Sequence, residues 1–547
     1  MWKKLLITGC VTFSLLSGGT LSAQPSCEIK EEVTSEQLDR TQKELVAMMK
    51  ELKNDSYFQT ELDKAAVQSS LSKRMAAYKD LTVRLLSVLE IQAELEWMKP
   101  EAIQEALGIM KKSSGFDAVL ADKRFGELKS LLAGGFDGIY TGDAQAIDKA
   151  NKTLTLKRKL MLMSPDVNVD KMLTVKFDLG ERANFVGAGS LGIQPNNWSN
   201  LSSASRKNFK AQLVELSGLQ SGELSEKVLY KPAVDGSSVT DLVLNWDGKR
   251  LMFTALDTTR RWQVHELDIN NGEAKQVTNI PEPDLEFFDG TYLPDGRMLA
   301  ISNIGYQGVP CVNGSDAVGN MVLYDPSNGY LRRLTFDQDA NWHPVVMANG
   351  KVMYVRWEYT DLTHYFSRIV MHMNPDGTEN KALYGSGAMF PNSTFDIQPI
   401  PGRGSAFVGI ISGHHGVARS GRLMLFDPAK GRKSISGITQ EIPYRNRPVQ
   451  EVIKDRLVDG VWPQFIKPTV LNDKYFLVAA KLNPEGLWGI YLVDAFDNVT
   501  CIMETEGEGF ISPILVKKTE MPPAIPDRVK LDEKEATFFI QDIYEGE

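Results

Sequence analysis

The residues with the most chemistry to offer fall in a few long loops. Four of the six histidines, His343, His364, His414 and His415, lie in segments 337–344, 357–366 and 412–420. Arg356, Glu358 and Asp361 lie in or beside the same loops, as do Asp337, Asp339 and Arg419, while Cys311 and Trp462 lie in two further loops of the same kind, 303–319 and 459–463. Imidazole, carboxylate and thiol groups together can hold a transition metal or exchange protons with a substrate. Histidines in Trp-His-Pro and Gly-His-His-Gly settings can equally act as hydrogen-bonding struts between loops. All three uses stay open at this point. His265 and His372 fall within apolar runs and are expected to be structural.

Other chemical signatures are missing. The chain has no G-x-S-x-G, no H-E-x-x-H, no phosphate-binding P-loop and no G-x-G-x-x-G after a strand. Asp337-Gln338-Asp339 is a weak calcium signal by itself. The four cysteines, Cys10, Cys27, Cys311 and Cys501, form neither C-x-x-C nor C-x-x-C-H. No cofactor is therefore expected to be covalently attached, and a metal ion at the loop histidines is the option that remains.

The loops must be held by strands. Segments 345–347 and 351–356 are apolar and β-branched, joined by Asn349-Gly350, a pair that accepts the positive φ of a tight hairpin. A third strand, 367–373, ends in Asn374-Pro375-Asp376-Gly377. The plan repeats. FKAQLVELSG, WQVHELDINNG, NMVLYDPSNG, SRIVMHMNPDG, RLMLFDPAKG and WGIYLVDAFDN are each an apolar strand ending in a polar turn. Their turns, at Ser217, Asp268, Asp325, Asn374, Asp427 and Asp494, are 51, 57, 49, 53 and 67 residues apart. Five have a matching hairpin upstream, at Asp247-Gly248, Asp295-Gly296, Asn349-Gly350, Gly402-Arg403-Gly404 and Asn472-Asp473.

That period, with several strands in each repeat, predicts a mainly β fold: a six-bladed β-propeller over 170–518, four strands to a blade. Segment 172–177 is expected to pair with 511–516 and close the ring, removing exposed sheet edges. Short turns then gather at one end and the long loops at the other, so the candidate residues share one face. Function concentrates on loops carried by a rigid scaffold.

Upstream, Leu38, Leu45, Met48, Met49 and Leu52 recur at helical spacing, as do Leu81, Leu85, Leu86 and Leu89. Thr34 or Ser35 can cap the first helix and Pro100 suits the first turn of another. Residues 24–165 are read as a helical region, with its helical signal weakening through Gly115, Gly134-Gly135 and Gly138. Glycine- and asparagine-rich sequence at 187–200 predicts a long loop.

The first 23 residues have the form of a signal peptide. Lys3 and Lys4 precede an apolar run, 5–16, that is short for a membrane span, and Leu21-Ser22-Ala23 suits cleavage. The 547-residue chain carries a formal net charge of -9, which disfavours nucleic-acid binding. No further run is long and apolar enough to span a bilayer. An exported protein, periplasmic or extracellular, is expected. The proline-rich 521–529 and a strand at 536–543 are read as a linker and the start of a truncated further domain.

RWEYTDLTHYFSRI, MNPDGT, SGHHGVARSGRLMLFDPAKGR and DKYFLVAAKLNPEGLWGIYLVDAFDN, with GVPCVNGS and LTFDQDANWHP, carry a family resemblance. Over residues 172–529 the chain resembles the propeller-forming middle region of hydrazine synthase alpha subunits and their homologues outside hydrazine metabolism. The resemblance implies a six-bladed propeller and an exported protein; in the namesake, haem-carrying domains flank the propeller. Cys311 matches a family cysteine position near the haem-facing side. This chain departs from the pattern in having no haem-attachment motif, which argues against hydrazine synthesis. The expected function is a binding or scaffold propeller presenting its loop-rich face to a small ligand or a partner protein. The alternative is an exported redox or metal-dependent enzyme with its site in the funnel, which would require the four loop histidines to converge.

Overall fold

A computed structural model describes residues 33–167, 170–179, 200–221, 223–359, 367–414 and 419–535. Helices come first: α1 (Ser35–Met49), α2 (Ser56–Ala66), α3 (Leu71–Glu96), α4 (Pro100–Met110), α5 (Ala118–Leu132) and α6 (Ala144–Met161). Thr34 caps α1 in a reciprocal box. Its hydroxyl accepts the Gln37 N–H at 3.2 Å, and the Gln37 side-chain oxygen accepts the Thr34 N–H at 2.8 Å. Pro100 stands in the first turn of α4, where a missing N–H costs nothing. Helix continues past Gly115 more strongly than the glycines predict. Gly134 and Gly135, both at positive φ, end α5 rather than the helical region.

From Lys171 the chain builds six antiparallel sheets of four strands each, a six-bladed propeller. The third strands are Ala211–Ser217, Trp262–Asp268, Asn320–Asp325, Arg368–Met373, Arg422–Phe426 and Gly489–Asp494, the six repeats seen in the sequence. The innermost strands of blades two to six are Val239–Leu244, Phe287–Tyr292, Asn341–Val346, Ser393–Pro399 and Gln464–Val470. The innermost strand of blade one, Glu508–Leu515, comes from the far end of the chain. It pairs with Lys171–Asp178, with Met172 opposite Leu515, so the predicted closure is present. One boundary differs. The innermost strand of blade four begins at Asn341, not at residue 345, because a β-bulge lets the ladder continue through His343 and Pro344. Most of the loop expected at 187–200, the strand expected at 536–543, and residues 1–32 lie outside the described residues.

The helices dock on the last and first blades. Ile103, Leu107, Leu128, Leu160 and Met161 share one apolar core with Leu173, Leu213, Leu477 and Leu492. Lys157 enters this junction, buried, and its ammonium donates to the carbonyls of Trp97 at 2.8 Å and Val499 at 2.6 Å. Burial lowers that ammonium to about 8. Arg445 adds a bidentate pair with Glu105 at 2.8 and 2.9 Å.

Segment 517–529 crosses the short-turn face as a strap. The Thr519 N–H donates to the Trp246 carbonyl at 3.0 Å. Arg297 holds Asp527 through two bonds, at 2.8 and 2.7 Å. The amides of Arg528 and Val529 both donate to Asp376 Oδ2. The strap thus links turns of blades two, three and four. Gly350 lies directly under it: φ is +82° and a Cβ there would stand 2.2 Å from the Pro523 carbonyl oxygen. Gly296 has φ +92° with open space around it. Both Gly350→Ala and Gly296→Ala carry the backbone penalty of positive φ, about 1 kcal/mol. Only Gly350→Ala should also lift the strap, so limited proteolysis should cut within 517–529 much faster in that variant than in Gly296→Ala.

Candidate functional site

Each innermost strand carries one residue at positive φ in a β-bulge. They are Asp241 (55°), Asp289 (55°), His343 (53°), Asp396 (48°), Lys467 (49°) and Ser512 (55°). The bulges interrupt the ladder at the same step of all six blades. Non-glycine residues seldom adopt this conformation, and a sixfold repetition marks a built feature. Asp241 on blade two and Lys467 on blade six have their side chains 3.4 Å apart, although blade one lies between those blades. Such contact is geometrically open only at the axis.

The contacts run around that axis. His343 Nδ1 lies 3.4 Å from Asp289 Oδ2, and His343 Nε2 lies 3.4 Å from Asp396 Oδ1. Lys467 Nζ lies 3.2 Å from Asp396 and 3.4 Å from Asp241. The bulge amides join in. The His343 N–H donates to Asp289 Oδ2 at 2.5 Å and the Lys467 N–H to Asp396 Oδ2 at 2.9 Å. Each of these carboxylates therefore satisfies the strained amide of the next blade. Arg419, buried, reaches in from the loop after the second strand of blade five. Its guanidinium rests on the rings of Trp342 and Phe395, 5.0 and 4.5 Å from their centroids.

Charge decides how the ring titrates. Burial alone would raise all three carboxyls. At Asp289 it is outweighed by His343 and then Lys467, and at Asp396 by Lys467 and then His343, so both are held below the usual range. Asp241 goes the other way, because burial and the nearby Asp289 prevail over Lys467. Lys467 is raised: burial opposes its charge, but Asp396, Asp241 and Asp289 overcome it. Burial pulls Arg419 down to about 10, against the same three carboxylates, which leaves it charged at neutral pH. Two buried polar atoms on ring residues have no hydrogen bond, His343 Nε2 and Ser512 Oγ.

Four residues before His343 and Asp396, toward the loop face, stand Asp339 and Asn392. Four residues of chain put this level at most about 13 Å from the ring. Asp339 is 2% exposed and Asn392 fully buried. Oδ1 of each has no hydrogen-bond partner. Burial raises the Asp339 carboxyl to about 6. Arg368 opposes that shift, while Asp337 and Glu358 add to it. Arg368 is itself buried, its guanidinium 4.1 Å from the ring centroid of Trp357. The His414 ring lies 6.3 Å from the same tryptophan. A concavity between α4 and α5 offers far less, an exposed Lys111–Asp122 pair at 2.6 Å.

The structure divides the expected site residues. Arg356 and Glu358 form an ion pair, and Arg356 also faces Asp337 at 3.5 Å. His343 lies not in a loop at the face but on an innermost strand, within the ring. His414 is buried, and its N–H donates to the Asp455 carbonyl at 2.7 Å. Cys311 lies in the middle of a single 3-10 turn, Pro310–Val312. His364, Asp361 and His415 lie outside the described residues, so convergence of four imidazoles is not on view. His265 and His372 are on third strands as expected; His265 stacks on Phe253 at 5.4 Å. Among the described residues no three His, Cys, Asp or Glu side chains are grouped to hold a metal ion. Cys501 is a free thiol.

Sequence reading missed Asp241, Asp289, Asp396, Lys467 and Ser512. A signal was present. FFDGT, NWHPV, TFDIQ, FIKPT and FISPI share a polar residue after an apolar one, VTDLV has threonine in that place, and four of the six have Gly or Pro next. The polar residues are 48, 54, 53, 71 and 45 apart.

No protein-family model matches the chain. No curated protein matches it. Solved structures similar to it include a hydrazine synthase from Kuenenia stuttgartiensis, 13% identical with a TM-score of 0.46, covering 65% of this chain and 48% of that one. This chain therefore spans about half the length of that protein. TolB from Acinetobacter baumannii is 12% identical with a TM-score of 0.34, covering 67% of this chain and 73% of that one. A chain of a nidogen/laminin complex is 11% identical with a TM-score of 0.37, covering 63% and 99%.

Two predictions follow from the charges. Lys467→Met leaves Asp396 and Asp241 buried beside an apolar chain and should destabilise by about 3–5 kcal/mol at pH 8. Those carboxyls then have raised folded values, so the loss should shrink as pH falls to 5, and Lys467→Met/Asp396→Asn should recover part of it. Urea unfolding at both pH values checks this. Asp339 has a folded value above its unfolded one, so its stabilising contribution is full below about pH 4 and is lost as pH rises through about 6. Asp339→Asn should accordingly be more stable than the native chain at pH 8, by up to about 3 kcal/mol, and equal to it at pH 4.

Proposed function

We propose that the chain is an exported binding propeller of the hydrazine-synthase-alpha-like kind, which takes up a small ligand or a partner at the loop-rich face. The observation that carries this reading is the contrast along the funnel. At the axis Asp289 and Asp396 are each bonded by a backbone amide and face His343 and Lys467, although His343 Nε2 has no hydrogen bond. At the mouth two buried acceptors, Asp339 Oδ1 and Asn392 Oδ1, have nothing to accept from. Leaving buried polar groups unsatisfied costs stability, so such a group calls for an explanation, and a bound ligand is one. The ordered strings over 172–529 support the family, and the Lys3-Lys4, apolar and Leu21-Ser22-Ala23 succession supports export.

The test is native mass spectrometry on protein purified from the exported fraction, with hydrogen exchange on the same sample. The mature chain should begin at Gln24 and carry one stoichiometric adduct or partner. Exchange protection by that partner should fall on segments 337–344, 357–359 and 390–393. A chain retaining Met1 refutes export. A bare chain, or protection confined to the turn face or helices, refutes binding at the loop face.

A further inference from the structure

We infer that the funnel mouth between blades four and five binds an organic cation with N–H donors, an ammonium or amidinium group. This rests on the reading that the loop face takes up a ligand, and specifies its chemistry. Asp339 and Asn392 occupy equivalent positions in the connections that lead into adjacent innermost strands, four residues before His343 and Asp396. Asn392 is oriented: its Nδ2 donates to the Lys454 carbonyl, which leaves Oδ1 as the free acceptor. Both vacancies are thus acceptors, one charged and one neutral, at one level of the funnel.

The surroundings decide among donors. An anion would meet Asp339 with Asp337 and Glu358 close behind it. A metal ion needs more ligands than one carboxylate and one amide oxygen, and the described residues group no three metal-binding side chains there. A two-pronged N–H donor suits two acceptors leading into neighbouring strands, and a positive charge suits the carboxylate. Arg368 on the third strand of blade four already lies on Trp357, and it acts on Asp339 without bonding Oδ1. Arg356 is engaged with Glu358 and Asp337. The groups acting on Asp339 are Arg368, which favours its charge, and Asp337 and Glu358, which oppose it, and Oδ1 is left without a hydrogen bond.

The probe is acetamidinium, with acetamide as its neutral isostere, titrated calorimetrically into the full mature chain. At pH 8 acetamidinium should bind once per chain and acetamide should not saturate. Binding should weaken at least tenfold in Asp339→Asn and fade at pH 5, where the carboxyl is protonated. Asn392→Asp, which adds a second charge, should tighten it. The inference is overturned if acetamidinium does not bind, if acetamide binds equally, or if both variants leave affinity unchanged. A co-purifying ligand that protects the loop face while acetamidinium fails would sink the cation assignment alone and leave the binding propeller standing.

Discussion

One backbone constraint underlies the rest of this molecule: each innermost strand must turn through positive φ at the same step. Six apolar strands converge on an axis too narrow for regular pleats, and a bulge in each re-aims one side chain inward. A bulge exposes an amide that the ladder no longer satisfies, and at the axis water is scarce. Asp289 and Asp396 take the amides of the following blades. Their negative charge then calls for His343 and Lys467. Blades also meet through polar contacts farther out, such as the Ser420 hydroxyl donating to Gln464 Oε1 and the paired amides of Gly421 and Phe465 between blades five and six, so these bonds are the axial share of the polar links from blade to blade. A buried ion network adds little net stability over apolar packing. What it adds is a fixed order, because Asp, His, Asp and Lys satisfy one another only in this sequence of neighbours.

The sequence made the scaffold legible and the axis opaque, for a physical reason. Turn chemistry is local: Asp-Gly and Asn-Gly pairs and the apolar runs between them announce hairpins without reference to the remainder of the chain. The bulges are local too, but their signature imitates a loop. Trp342-His343-Pro344 and Asp289-Gly290 look like chain leaving a strand, and His343 was accordingly expected at the face. Asp and His tolerate the left-handed region better than most side chains, so no glycine flags the position. Only alignment of the six innermost strands, rather than the more conspicuous third strands, brings the ring into register. Arg356 and Glu358 were legible as loop neighbours; the vacancy at Asp339 and Asn392 was not, because satisfaction of an acceptor is a property of the packed state.

Floor and mouth treat buried charge in opposite ways. At the floor two carboxyls are held down by His343 and Lys467, and Arg419 adds charge from a bed of aromatic rings. At the mouth the Asp339 carboxyl is raised to about 6, with one oxygen unengaged. The first arrangement serves folding. The second works against it at neutral pH, and a side chain that opposes folding where it stands must be explained by what it meets there.

Geometry also fixes the direction of approach. The outer strand of the sixth blade, Val499–Met503, lies under α3 and α6, with Lys157 bonded to the Val499 carbonyl. Across the short-turn face, the strap 517–529 ties blades two, three and four, and Gly350 is shaped to let it pass. The strap sits away from the long loops, whereas the helices also hold the start of the 443–463 connection through Glu105 and Arg445; both stiffen the ring. Asp339 and Asn392 stand between the axial ring and the loop face, with Arg419 and its two aromatic rings on the axial side. Asp337 and Glu358 lie close enough to act on Asp339, and their pairing with the single Arg356 leaves that neighbourhood with a residual negative charge, which favours a cation.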